Sequence, residues 1–449
     1  MFSAVIWVAA LALGLGVDDA PIVPVGLAKR DITPATPIRL TGYGSRTAEA
    51  DQIDQRLWAR AVAIGDQPVV LVTLDLCGVP GPLVEEAARQ LETEVGLRRD
   101  RLAVTVTHTH TGPAVTGFAP MIFAEDLTPD EERRIDQYSR GLVPAIVGVA
   151  RAALDNRRPS RLGYACGRVD FAVNRRVIRD GRWTGFGVNP SGPVDRTLPV
   201  LRVTGPEGDL RGVVAGYACH CTTLDGDYNA VCGDWATDAC EQIEASHPEA
   251  QALIVIGCAA DANPEPRGGP EQRERSRRHG AAVVAEVDRL LKAAFESLPA
   301  PSATAIGHLE LPFQPIPDRR HWEAEAQKPG QVGRRARFML SVLDSGQSIP
   351  TTLPYTIQSW SFGDRLTLVF LAGEVVVDYA LRLRAERPER TLWPIAYAND
   401  VCCYIPSQRI LSEGGYEADS SMIYYNRPAS LAPSIEDQII QAVLRLIPD

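Results

Sequence analysis

At 449 residues the chain is long enough for one large domain or for two or three ordinary ones. Its composition, 45% hydrophobic and 23% charged, is that of a globular protein and excludes a disordered one. A formal net charge of -10 with no basic tract to offset it argues against a nucleic-acid partner. The arginine-rich piece from Arg273 to Arg278 lies among glutamates and reads as an exposed helix face.

In chain order, residues 4–17 are apolar and run into Asp18-Asp19. The run is shorter than the roughly 20 residues a membrane span needs, and it matches the hydrophobic part of a secretory signal. Residues 1–20 are therefore expected to be a signal peptide or a disordered extension, with residues 21–449 folded. Export to the periplasm or the medium is the expected location, with the cytoplasm as the alternative.

Residues 26–46 read as an entry loop around a short strand, residues 61–65 and 69–76 as two strands, and residues 83–95 as a helix. A strand over residues 102–107 then reaches His108-Thr109-His110, where Gly112-Pro113 turns the chain away. This strand, helix, strand order implies a crossover and an α/β layer architecture. Residues 129–154 are a long amphipathic helix. Strands are expected over residues 162–173 and 199–203, with Asn174-Arg175-Arg176 in the loop between them.

A further apolar strand, residues 213–220, again ends in a histidine, His220, and Asp234 is placed to cap a helix over residues 235–245. Residues 253–257 form a strand leading into the small-residue loop from Cys258 to Pro264. A helix follows over residues 272–298, then a strand and two arginine-rich helical pieces within residues 304–350. Residues 366–371 form a strand, after which Ala372-Gly373-Glu374 is expected to open a helix running to residue 387. Residues 393–397 read as the last strand and residues 434–446 as the last helix. With no repeat and no boundary, the expectation is an α/β fold: a single large domain with mixed sheets and flanking helices.

Nine cysteines cannot all pair within one chain, and they form no paired Cys-x-x-Cys knuckles. Most are expected to be small buried hydrophobes. Cys219, Cys221 and Cys258 are expected to pack close to the site.

Three strands thus end in candidate ligands: His108 with His110, His220, and Glu374. Open α/β sheets place ligand sites outside strand termini. Two imidazoles and a carboxylate with a vacant position suit a catalytic Zn²⁺, which lowers the pKa of a bound water. In an extended backbone alternate residues share a face, so one of the two imidazoles, His108 or His110, can hold a metal while its neighbour handles a proton. The Gly-x-Ser-x-Gly, His-Glu-x-x-His, phosphate-loop and dinucleotide fingerprints are all absent.

The segment His108-Thr109-His110-Thr111-Gly112-Pro113 resembles the His-Thr-His-Ser-Gly-Pro signature of the neutral/alkaline non-lysosomal ceramidases, zinc-dependent amidases that cleave an N-acyl bond. The similarity continues in order through Asn174-Arg175, His220, Gly373-Glu374, Tyr404, and Tyr416-Glu417-Ala418, with Tyr416 twelve residues after Tyr404. It spans about residues 26–422. The resemblance implies one Zn²⁺ per chain held by His108, His220, Glu374 and Tyr404. It also implies His110 as proton shuttle, and Arg175 and Tyr416 as groups that stabilise the oxyanion of an N-acyl substrate.

Two features depart from the family. Asn263, in Ala260-Asp261-Ala262-Asn263-Pro264, stands where the family's Gly-Asp-x-Ser-Pro loop has serine, and an amide positions substrate but is no hydroxyl nucleophile. The chain also closes at Asp449, so the family's C-terminal β-sandwich is not expected. The implied activity is hydrolysis of a small-molecule or lipid N-acyl amide by metal-activated water, with at most peripheral membrane contact. Another small amide or an ester, or a non-catalytic binding protein retaining the fold, remain as alternatives.

Overall fold

A computed structural model describes residues 21–448; the signal-peptide reading of residues 1–20 lies outside them. Strands β1 (Val23–Asp31), β2 (Trp58–Ile64) and β3 (Val69–Leu74) form an antiparallel meander. Helix α1 (Gly81–Val95) then crosses over to β4 (Leu102–Val106), parallel to β3. A capping box of Thr128 and Glu131 starts helix α2 (Pro129–Asp155), satisfying two of its otherwise unpaired N–H groups, and β5 (Arg158–Arg168) returns antiparallel to β1.

Beyond the sheet come β6 (Ala172–Asn174) and the hairpin β7 (Arg176–Arg179) and β8 (Arg182–Phe186). Strands β9 (Thr197–Thr204) and β10 (Leu210–Tyr217) rejoin it, and helix α3 (Asp234–Ser246) crosses to β11 (Gln251–Ile256), parallel to β10. A short strand β12 (Ala262–Pro264) pairs with β6, helix α4 (Gln272–Leu291) packs on α3, and β13 (Glu296–Leu298) adds to β5. The sheet runs β11-β10-β9-β5-β1-β2-β3-β4.

The last third of the chain builds a second sheet. Strand β14 (Ala303–Pro312) is followed by helices α5 (Arg319–Glu325) and α6 (Gly330–Asp344), which close a small core of their own around Trp322 and Met339. Strands β15 (Thr352–Phe362) and β16 (Leu366–Leu371) continue the sheet; β17 (Glu374–Val375), helix α7 (Val377–Glu386) and β18 (Thr391–Ile395) follow, with β18 parallel to β16. Strand β19 (Tyr404–Ile405) pairs with β17, and helices α8 (Gln408–Glu413) and α9 (Ile435–Leu446) end the chain.

Strands buried on both faces read as continuous apolar runs, and β3 shows the division of labour. Val69 and Leu71 face the second sheet, where they share a core with Trp360, Phe370 and Trp393; Val70 and Val72 face the helices α1 to α4. Each such side chain contributes about 1.5–3 kcal/mol of burial. The large sheet is coiled enough that its two edges approach, the Thr73 hydroxyl donating to the Ile254 carbonyl at 3.1 Å. The segment after β18 stitches both edges, with the Ala396 N–H on the Ile256 carbonyl (2.9 Å) and the Asn399 N–H on the Val104 carbonyl (2.7 Å). That closure brings the ends of β4, β10 and β16 to one place.

Several sequence expectations are corrected. Residues 26–46 are not only a loop, because their first part belongs to the nine-residue strand β1. The loop expected around Asn174-Arg175-Arg176 contains β6 and the β7–β8 hairpin. The helix expected over residues 272–298 stops at Leu291, and β13 takes its end. Glu374 does not open a helix: Gly373 turns at φ 77 and Glu374 enters β17. Asp234 is no N-cap; it is the first residue of α3, with its carboxylate accepting the Leu224 and Trp235 N–H groups.

Among the described residues all nine cysteines are unpaired, and all but Cys166 are buried, in keeping with the packing role expected of Cys219, Cys221 and Cys258. No helix among the described residues is long and apolar enough to cross a membrane.

Candidate metal centre and active site

Strand β4 ends at Val106, and His108 turns its backbone to φ 57, a left-handed conformation that costs a non-glycine residue energy and is held by its surroundings. Its ring packs at a tilt of 31° against Tyr397, 4.4 Å away between ring centres and itself at φ 54. His108 Nδ1–H donates to the Cys77 carbonyl at 2.6 Å, and His220 Nδ1–H to the Ala259 carbonyl at 2.7 Å. Each imidazole therefore presents the lone pair of Nε2 inward.

Both lone pairs point at Glu374 Oε2, at 3.1 Å from His108 and 3.3 Å from His220. Three acceptor atoms converge, all buried. Such a cluster repels itself unless a cation or a proton stands between its members. In the metal-free protein a proton serves. Burial opposes charge on His108, but the Cys77 and Glu374 side chains outweigh it and lift the imidazole to about 10. Burial likewise pushes Glu374 up, yet His108 and His220 hold it well below the usual carboxylate range. Nitrogen and oxygen donors in this arrangement fit a divalent cation. Cys77, His108 and His110 also lie close together, but the Cys77 thiol sits 3.7 Å from His108 Nδ1, away from the convergent face.

Tyr404 lies beside Glu374 because β17 and β19 pair Glu374 with Tyr404 directly. Gly373 permits this approach, since a Cβ there would stand 2.7 Å from the Cys403 carbonyl. The Tyr404 hydroxyl accepts from Arg175 Nη2 at 3.1 Å. Arg175 Nη1 reaches His220 Nε2 (3.2 Å) and the Asn263 amide oxygen (3.3 Å), and Nε pairs with Glu417 at 2.9 Å. Arg175, and not its neighbour, faces the cluster: Arg176 turns away to Glu413 and Glu417. Asn263 also accepts from the Thr222 hydroxyl at 3.4 Å.

His110 Nε2 lies 3.1 Å from His108 Nε2, while its Nδ1 is buried without a hydrogen-bond partner. Burial first, then the imidazoles of His108 and His220, keep it well below the ordinary histidine range, so it is neutral. Gly42, at φ 91, makes room for this ring; a Cβ would stand 2.5 Å from it. Arg46 pins the backbone by donating to the His110 carbonyl at 2.6 Å. Tyr416 stands 5.3 Å from the Tyr404 ring.

A narrow cavity of only about 20 Å³ lies at this site, walled by His108, His110, Glu374, Tyr404 and Tyr416 together with Phe118, Ile122, Tyr424 and Tyr425. All eight residues singled out in the sequence are thus brought to one locality. Sequence reasoning assigned nothing to Tyr425, whose hydroxyl donates to Glu374 Oε1, or to Asp261 and Glu417. The Tyr424-Tyr425 pair offers no periodicity that marks one ring as buried against a carboxylate.

Residues 24–263 match the sequence pattern of the family described as neutral/alkaline non-lysosomal ceramidase, N-terminal. The neutral ceramidase of Drosophila pseudoobscura pseudoobscura is 26% identical over 234 residues, and that of Drosophila melanogaster 24% over 227 residues. Each match covers 47% of this chain and 30% of the relative, so the chain accounts for less than a third of those proteins. In three dimensions the fold is similar to neutral ceramidase from Pseudomonas aeruginosa, with a TM-score of 0.71 at 20% identity, covering 96% of this chain and 74% of that one. A ceramidase complexed with C2 superposes with a TM-score of 0.72 at 19% identity, over 95% of this chain and 75% of that one. The chain belongs to the neutral/alkaline non-lysosomal ceramidase family.

Proposed function

We propose that the protein is a zinc-dependent hydrolase that cleaves the amide bond of an N-acyl compound, with His108, His220 and Glu374 as metal ligands and Tyr404 beside them. The observation that carries this reading is the convergence of three buried acceptor atoms whose imidazole protons are committed to the Cys77 and Ala259 carbonyls. When bound there, a divalent cation supplies Lewis-acid polarisation and an acidified water.

The chain's own groups divide the remaining work. His110, neutral and directed at the same point, takes up a proton at Nε2 and returns it to the departing amine. Arg175 and the Tyr416 hydroxyl stabilise the negative charge that develops on the carbonyl oxygen. Asn263 helps hold Arg175 and the scissile group in register. Family membership supports an N-acyl lipid as substrate, met at most peripherally at a membrane. Asn263 in place of a serine supports a second reading, in which the scissile bond is that of a shorter N-acyl compound or an ester.

The test measures zinc in the purified protein and follows hydrolysis of N-acylsphingosines, N-acyl para-nitroanilides and the matching esters. Chelation is expected to abolish turnover and added Zn²⁺ to restore it. Undiminished turnover by metal-free protein overturns the metal reading, and cleavage of esters alone overturns the amide.

A further inference from the structure

Asp261 is a fully buried carboxylate whose closest cation, Arg409, is 3.7 Å away. Its hydrogen bonds come from neutral donors: the Val377 N–H at 2.9 Å on Oδ1 and the Asn174 side-chain amide at 3.0 Å on Oδ2. A buried charge satisfied this way is a poor source of stability. What it joins is more informative. Val377 begins the helix three residues after Glu374, and Asn174 precedes Arg175.

The loop around Asp261 makes further contacts of the same kind. The Asp261 carbonyl accepts the Arg175 N–H at 2.8 Å, and the Ala262 carbonyl accepts the His220 N–H at 3.1 Å. The Ala259 carbonyl orients the His220 ring, and the Ala260 N–H donates to the Val375 carbonyl at 3.1 Å. Three segments distant in sequence, carrying Arg175, His220 and Glu374, are thus referenced to four consecutive residues, Ala259 to Ala262.

Resting on the function proposed above, we infer that Asp261 is a positioning residue whose carboxylate sets the placement of Arg175 relative to Glu374. Asparagine cannot replace it. Asn174 is pinned in one orientation, its oxygen accepting the Arg176 N–H (3.0 Å) and its amide donating to the Pro193 carbonyl (3.0 Å), so D261N sets one NH₂ group against another.

The experiment compares D261N with D378N, using N-octanoyl para-nitroanilide as probe and elemental analysis for zinc. Asp378 makes a bidentate pair with Arg409, at 2.9 and 2.7 Å, and removing its charge from the same helix is a matched control for structural damage. D261N is expected to keep its zinc while kcat falls roughly 10–100-fold with little change in KM, the effect of misplacing an outer group. D378N is expected to keep both kcat and zinc. N174A removes the Oδ2 contact from the other side and should lower kcat in the same sense if D261N does not fold. A kcat for D261N equal to that of D378N, or a loss of activity matched by a loss of zinc, overturns the inference. Wild-type protein that binds no zinc and cleaves no amide overturns the preceding proposal instead. The inference is then read from a crystal structure of D261N, where a displacement of Arg175 from Glu374 beyond ~0.5 Å supports it and a smaller one overturns it.

Discussion

Replacing Tyr425 by phenylalanine isolates one hydrogen bond at the centre of the site. The Tyr425 hydroxyl donates to Glu374 Oε1, which leaves Oε2 directed at the two imidazoles. The ring itself packs against Phe118 and Tyr404, at centroid distances of 6.0 and 6.2 Å, and phenylalanine keeps both contacts. The loss is therefore confined to a hydrogen bond to a charged acceptor, about 1.5–3 kcal/mol. At about 1.4 kcal/mol per tenfold, zinc affinity should fall roughly 10–100-fold, which agrees with the usual effect of removing a group that orients a metal ligand. Competition against a chelator of known affinity reads this directly, and thermal melting of the metal-free variant reports any wider damage. If Tyr425→Phe binds zinc as tightly as the unaltered protein, Glu374 is not oriented by that hydroxyl and the reasoning fails.

Glu417→Gln removes a buried carboxylate shared by Arg175 and Arg176, and stranding two guanidinium groups should cost about 3–5 kcal/mol, measured by urea unfolding. Arg176 keeps Glu413, so the lower end of that range is expected. Trp393→Ala empties the space between the two sheets and should destabilise by about 3–5 kcal/mol in the same assay; an effect no larger than that of a surface substitution would show that the two sheets do not share a core. His279 is depressed to about 4, chiefly by burial, against its unfolded value of 6.5. Below pH 6.5 the unfolded chain takes up a proton that the folded one does not, so stability from this group is present above that pH and lost towards pH 4, by up to about 3 kcal/mol. His279→Gln should flatten that part of the profile, and an unchanged acid slope would assign it elsewhere.

The candidate site was readable in the chain because its proposed ligands sit at the ends of unusually apolar strands. Val104 to Val106 and Val213 to Tyr217 are buried runs that stop abruptly, and the polar residue just past a strand end is delivered to the sheet edge whatever the rest of the fold does. Local spacing was less reliable where two tendencies compete. Residues 374–387 carry helical periodicity, yet the left-handed turn at Gly373 and the pairing of Glu374 with Tyr404 draw Glu374 into a strand before the helix begins. Strand β1 was hidden by the Pro24, Gly26 and Lys29-Arg30-Asp31 that interrupt its alternation, because its two neighbours in the sheet define it and its own propensity does not.

Sequence by itself determined which side chains are available at strand ends, since that depends only on neighbours along the chain. Tertiary structure alone decided which of their atoms meet. The coiling of the large sheet joins β4 to β11, the carbonyls of Cys77 and Ala259 choose the imidazole nitrogen that faces inward, and Tyr425, Glu417 and Asp261 arrive from segments that no periodicity links to the histidines. Those contacts are long-range and set by packing and hydrogen-bond geometry, which a linear pattern does not record.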